Sequence, residues 1–294
     1  MALTILSDQL LLPVPGEALI YAVETQTEIR LPGQVMRQDT NALLRYTVQD
    51  TLLTAPHLVE LVTVELRATS AASPFAELLL DIARANSPLL IEVDPQGQFQ
   101  RVRNKPALAA QWQELLPWLR TKHQQTPGAM QLLGQLATQY ADDNDRLEQA
   151  LAHKGNCGVL LPALFGLRST GDTRTSHRTL HQFFPGGDLP LEVEWAVGAA
   201  DALDLTADVQ ATGRLDTARF DHSAFQQHLT TMTGPMARPP ALQVAWAEDY
   251  TVSRAGQGLL MGQQTLRIGI PGLYEQHTRH TLRQPSTPAP GRLA

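Results

Sequence analysis

Long runs in which every second residue is apolar dominate both ends of this chain. A run of that period specifies a strand with one face buried and one face wet. Leu19, Tyr21, Val23, Ile29 and Leu31 share one parity, with Thr25 and Thr27 between them, and Glu24, Gln26, Glu28 and Arg30 take the other. Leu44, Tyr46, Val48 and Leu52 stand opposite Arg45, Thr47, Gln49 and Thr51. Over residues 58–68, Val62, Val64 and Leu66 stand opposite Thr63, Glu65 and Arg67. The pattern returns after residue 188, with Leu191, Val193, Trp195 and Val197 against Glu192 and Glu194, then Leu203, Leu205, Ala207 and Val209 against Asp204, Thr206, Asp208 and Gln210. Residues 242–252 and 259–270 read as a last hairpin across Ala255 to Gly258. One wet face and short turns at Pro32-Gly33 and Pro56 predict an antiparallel sheet rather than a doubly wound parallel one.

Helical spacing fills the middle. Ser73 followed by Pro74 is an N-cap with proline at the first turn, opening a helix to about Asn86. Asp94-Pro-Gln-Gly97 is a turn signature inside a hairpin ending at Val102. Asn104 caps a second helix carrying Leu108, Trp112, Leu115, Leu116 and Leu119, which Pro117 is expected to bend or end. Thr126-Pro127 caps a third, with Met130, Leu133, Leu136, Ala137 and Tyr140 as its stripe and Leu147 and Leu151 continuing it. A further helix is expected from Asp221 to Met232.

The class is therefore α+β: a large curved antiparallel sheet, half-barrel-like, with a helical middle segment. Residues 1–283 are expected to form one domain, with sheet sections over 17–103 and 189–283, the helical middle over 104–153 and a connecting segment over 154–188. Residues 284–294 have the Pro, Ser and Gly composition of a flexible tail. The two sheet sections repeat an order of strands, helix and hairpin, as two diverged halves would. At fold level this order of elements is similar to that of half-barrel carriers that shelter lipid or lipoprotein chains.

Several chemistries are excluded on residue type and spacing. One Cys rules out an internal disulfide or a cysteine-built zinc site. A net charge of −6 opposes general nucleic-acid binding, which needs clustered basic surface. No run approaches the ~18 apolar residues of a membrane span. The first residues lack the basic start and apolar stretch of a secretory signal, so a cytoplasmic location is expected.

Cys157 lies beside Val159 to Leu161, the setting of a small buried hydrophobe, and Gly155 separates it from His153. His177 and His181 have the i, i+4 spacing of a helical metal pair, but Arg178 stands where a zinc protease needs an acid. Asp142, Asp143 and Asp145 lack the glycine and distal glutamate of a calcium loop. Gly256, Gly258 and Gly262 lie between two strands, where a hairpin turn explains them. No catalytic residue, metal or cofactor is predicted.

One stretch stands out, because residues 152–188 lose their periodicity. Within it Arg168, Asp172, Arg174, His177, Arg178 and His181 precede the aromatic pair Phe183 and Phe184. Cations followed by aromatics can grip an anionic ligand or a protein surface. The expected function is a non-catalytic binding or scaffolding protein that holds a protein partner on a sheet face or on residues 167–188. The alternative is a carrier of an apolar small molecule in a half-barrel cavity lined by Tyr21, Val193 and Trp195. A metalloenzyme using His177 and His181 is the third possibility.

Overall fold

The computed structural model describes residues 10, 13–50, 57–68, 74–141, 145–153, 155–168, 171–184, 187–198, 205–234, 240–255 and 257–285. Alternation in the first section becomes β1 (Ala18–Leu31), β2 (Gln34–Asp50) and β3 (His57–Ala68), and the Asp94 turn joins β4 (Leu89–Val93) to β5 (Phe99–Val102). The later strands are β6 (Thr173–Phe184), β7 (Gly187–Val197), β8 (Thr206–Leu215), β9 (Gln243–Ser253), β10 (Leu259–Ile270) and β11 (Tyr274–Arg283). They form one eleven-stranded sheet in the order β5-β4-β3-β2-β1-β11-β10-β9-β8-β7-β6. Every pairing is antiparallel, and the first and last strands meet at its centre, Thr25 opposite His280.

The sheet curls strongly. Laid flat, its strands at ~4.8 Å spacing would hold β5 and β6 about 48 Å apart. Instead a single residue touches both sides. Pro162 bridges to Gln98, next to β5, while its carbonyl accepts Arg178 Nη2 of β6 at 2.6 Å. No ladder joins β5 to β6 among the described residues, so the sheet stays open. The gap is occupied by a strap, residues 161–167. Its Phe165 N–H donates to the Gln96 carbonyl at 3.1 Å, and the Ala163 carbonyl accepts Arg174 Nη2. Leu10 completes the strap, exchanging two backbone hydrogen bonds with Leu167 and Gly166.

Helices cover the concave side. They are α1 (Pro74–Ala85), α2 (Lys105–Lys122), α3 (Ala129–Ala141), α4 (Arg146–Leu151), α5 (Gly155–Leu160) and α6 (His222–Thr233). Trp112 of α2 stacks on Tyr140 of α3 at 5.0 Å. Buried Asp81 of α1 accepts from Lys122 at 2.6 Å and bonds the His123 ring at 2.8 Å, tying α1 to the end of α2. The two halves follow the same order as far as β5 and β10: three strands, a helix, two strands.

Several expectations change, and Met130 of α3 and Leu205 just before β8, read as apolar-face residues, are exposed. Pro117 lies inside α2 without ending it. Leu147 and Leu151 belong to a separate helix, α4. In β3 the core residues are Val59 and Leu61, while Val64 is exposed. The register with β2 slips between Leu43 and Leu44, where Val64 is the extra residue of a bulge, and a one-residue slip reverses the face of the pattern. Finally, the segment expected to be an irregular connection carries β6, a twelve-residue strand. Ser73, Leu52, Pro56, Leu203, Asp204, Asp142, Asp143, Gly256 and most of the tail lie outside the described residues. No described helix is long and apolar enough to cross a membrane.

Candidate functional site

Tyr21, Val193 and Trp195 do not frame an open pocket; all three are buried in the core, with Tyr21 edge-on to Tyr46 at 6.0 Å. The space lies further along the concave face, over β10 and β11. An outer chamber of about 210 Å³ is walled by Phe183 and Phe184 of β6, Phe225, His228 and Leu229 of α6, and Ile268, Ile270, Leu273 and Tyr274 around the β10–β11 turn. An inner chamber of about 280 Å³ follows. Its walls include Thr25 and Thr27 of β1, Leu180 and Phe183 of β6, Trp246 of β9, Gln264 and Leu266 of β10, and Gln276, Thr278 and His280 of β11, with His153 and Gly155 above. Phe183 lines both chambers. Leu266 then Ile268 on β10, and Gln276 then Tyr274 on β11, are successive inward positions, so the chambers run one after the other along the strands.

The outer chamber is apolar because α6 lays its one buried stripe against an aromatic cluster. Asp221 caps α6 through the amides of Ser223 and Ala224. Phe184 then meets Phe220 at 6.1 Å, Phe225 at 5.7 Å and the His228 ring at 5.9 Å.

The inner chamber exposes mostly apolar surface, and the polar groups set in its walls are largely spent on one another. Thr25 Oγ1 lies 2.8 Å from His280 Nδ1, Gln276 Nε2 donates to Thr278 Oγ1 at 3.0 Å, and the Tyr274 hydroxyl donates to Gln276. Behind them Gln264 Nε2 donates to Glu248 Oε1 at 2.6 Å, and Arg178 Nη1 donates to the same oxygen at 2.7 Å. The Arg178 guanidinium lies over Trp195 at 4.9 Å and Trp246 at 5.8 Å, so it is held by two indoles, a carboxylate and the Pro162 carbonyl. Trp246 can lie close to β8 because Gly213 leaves a hollow: a Cβ there would stand 2.9 Å from the Trp246 Cβ. Two buried polar atoms in this region take no partner, Trp246 Nε1 and Glu248 Oε2.

The histidines of the chamber are neutral at physiological pH. Burial pushes His280 down from 6.5 to about 4. Burial, followed by the like charges of Arg178 and His181, lowers His153 to about 3. For His280 the unfolded chain takes up its proton first. Its contribution to stability is therefore intact above pH 6.5, is lost as pH falls towards 4, and changes no further below that. The integrated loss is about 3 kcal/mol. Replacing His280 with Gln keeps a partner for Thr25 and removes the titration. The melting-temperature gap between wild type and H280Q should shrink by several degrees between pH 7 and pH 4.5; a gap independent of pH would contradict this assignment.

The residues singled out in the sequence do not form one surface. Arg178 is buried behind the inner chamber, and Phe183 and Phe184 line the cavities. Arg174 turns inward to the strap, whereas Asp172 accepts the Arg168 and Thr173 amides at the exposed start of β6. His177 and His181 lie on a strand, where four residues span about 13 Å, and bond separate carboxylates, Asp216 at 3.1 Å and Asp188 at 2.9 Å. The helical spacing behind the metal reading is thus absent. Among the described residues no three His, Cys, Asp or Glu side chains converge as a metal site would require. Cys157 is buried in α5, and burial raises its thiol to about 12, far from a reactive thiolate.

The other chamber residues Thr25, Thr27, Trp246, Gln264, Gln276 and Thr278 are not candidates in the sequence. Their one visible signal is Thr25 and Thr27 interrupting the apolar parity of β1.

No family model matches this chain, and no curated protein matches it. A solved structure concerned with lipid–protein interactions in lipovitellin is similar over 96% of this chain, at a TM-score of 0.45 and 10% identity. This chain spans 26% of that protein's chain, and a likeness at this level assigns neither ligand nor activity.

Proposed function

We propose that this protein is a non-catalytic carrier of a small elongated apolar molecule, seated in the two chambers with its hydrocarbon end under α6. The observation behind this reading is the outer chamber itself, a hollow of about 210 Å³ walled by aromatic and aliphatic side chains that shares Phe183 as a wall with a second hollow. Cores are close-packed, and apolar walls facing a void forfeit their dispersion contacts. Together the chambers reach the size range of small-molecule sites, which are mostly apolar with a few placed polar groups.

Titration of the full chain with N-phenyl-1-naphthylamine, an uncharged apolar fluorophore, tests this. Saturable one-to-one binding in the micromolar range is expected. Phe183→Trp, which enlarges the side chain that walls both chambers, and Leu273→Arg, which charges the outer wall, should each weaken it at least tenfold with little change in melting temperature. Probe signal that does not saturate, or that both variants leave unchanged, overturns the proposal.

A further inference from the structure

Resting on that reading, we infer that α6 is the lid of the outer chamber, and that the ligand enters when the C-terminal half of α6 swings away from the β10–β11 turn. Helices α1 to α4 are tied down by polar contacts. Asp81 fastens α1 to Lys122 and His123 at the end of α2, Lys105 of α2 meets Glu148 of α4 at 3.3 Å, and the Tyr140 hydroxyl of α3 donates to Asn86 just beyond α1. The last helix is held differently. Among the described residues, every hydrogen bond of His222–Thr233 stays within residues 220–234, and none reaches the sheet or another helix.

Apolar contact alone keeps α6 over the chamber. Phe225 and Leu229 are buried there, and the Phe184 ring stacks on His228 at 5.9 Å. Such contact is non-directional, so a helix resting on it can shift without breaking a polar bond. The other walls are less free to move, since β6, β10 and β11 are hydrogen-bonded into the sheet and parting them would break a ladder. The ends of α6 set the direction of the swing. Before it, the Asp216 carboxylate accepts the amides of Ala218 and Arg219 and its carbonyl accepts that of Phe220, which anchors the start. After it, the chain leaves through Gly234 at φ +78° and ψ 176°, a backbone conformation that is essentially glycine's alone. Leu229 and Thr233, which line the chamber, lie towards this second end.

Thiol trapping reads the motion with no ligand present. Leu229→Cys and Leu119→Cys place the same side chain at positions 2% and 1% exposed, one on α6 and one on the tied helix α2. A sulfonated maleimide, too polar to enter a closed apolar chamber, should modify the Leu229→Cys thiol at least tenfold faster than the Leu119→Cys thiol. Wild type supplies the blank for Cys157. Gating is read on a Phe184→Cys/His228→Cys variant, whose oxidised form is compared only with its own reduced form. Oxidation should slow both uptake and release of N-phenyl-1-naphthylamine at least tenfold while changing its affinity less than threefold, and reduction should restore both rates. A Leu229→Cys thiol no more reactive than the Leu119→Cys thiol, or an oxidised form that takes up the probe as fast as the reduced one, overturns the lid and leaves the carrier reading standing. Absence of saturable probe binding by wild type removes the carrier reading and the entry route with it.

Discussion

Replacing Arg178 with Met is expected to lower the melting temperature by about 5–8 °C, and adding Glu248→Gln in the same chain should restore more than half of that. The pair is buried on both sides, with side chains 3% and 0% exposed and a 2.7 Å contact. Removing one partner of such a pair costs about 3–5 kcal/mol, because the remaining charge has neither water nor a counterion. At ~2.1 cal/mol/K of unfolding entropy per residue, a chain of this length converts that into the shift given. Methionine keeps much of the volume between Trp195 and Trp246, so the loss tracks charge rather than a cavity. Glu248→Gln removes the stranded charge and still presents an oxygen to Gln264. Thermal melts of the single and double variants at pH 7.5 read this directly. A single variant within 1 °C of wild type would mean that water or another group compensates Glu248.

The same pair explains how the curl is held. β6 and β9 are separated by β7 and β8, three strand intervals or about 14 Å on a flat sheet. Arg178 and Glu248 nevertheless touch through their side chains, which requires the two strands to face one another. The carbonyl of Pro162 takes the second arm of the guanidinium, so one residue fixes both the curvature of the last four strands and the seat of the strap.

What could be read from the sequence divides along the same line. Strands with apolar inward residues, such as Leu19, Tyr21 and Val23 or Leu191, Val193 and Trp195, announced themselves by period alone. The two strands that escaped were β6 and β11. Their inward faces carry Arg174, Ser176 and Arg178, and Gln276, Thr278 and His280, so alternation exists but does not alternate in hydrophobicity. An inward polar residue is tolerated only when a partner satisfies it, and the partners lie far along the chain: Thr25 for His280 and Glu248 for Arg178. No local pattern can show such a pairing. Both strands that break the rule contribute to the walls of the inner chamber, beside β1, β9 and β10. The aromatic pair Phe183 and Phe184 is legible as a point of interest, but both rings line the outer chamber only because the register of β6 with β7 shifts between Leu180 and Phe184, which no local pattern shows. Counting the cations before it as one patch failed, since successive residues of a strand face opposite ways.

Gly97→Ala is the second change expected to have a large effect, and it acts on the strap from the other side. Gly97 sits at φ +80° in the β4–β5 turn, a left-handed conformation that costs an L-residue about 1–2 kcal/mol. A Cβ there would also stand 2.4 Å from Phe165 Cδ2, overlap that core residues accommodate at about 1–3 kcal/mol. The two together predict a fall of about 3–8 °C in melting temperature on the same entropy scale. Phe165→Leu separates them: the steric part of the Gly97→Ala effect should vanish in that background, while the backbone part remains. Hydrogen exchange gives the change its location. The amide of Phe165 donates to the Gln96 carbonyl and that of Leu10 to the Leu167 carbonyl. Both should exchange at least tenfold faster in the Gly97→Ala variant, whereas amides at the centre of the sheet, such as those pairing β1 with β11, should keep their protection. Uniform loss of protection across the sheet would instead mean that the strap and the sheet unfold as one unit, and that the gap between β5 and β6 is closed as firmly as if a strand filled it.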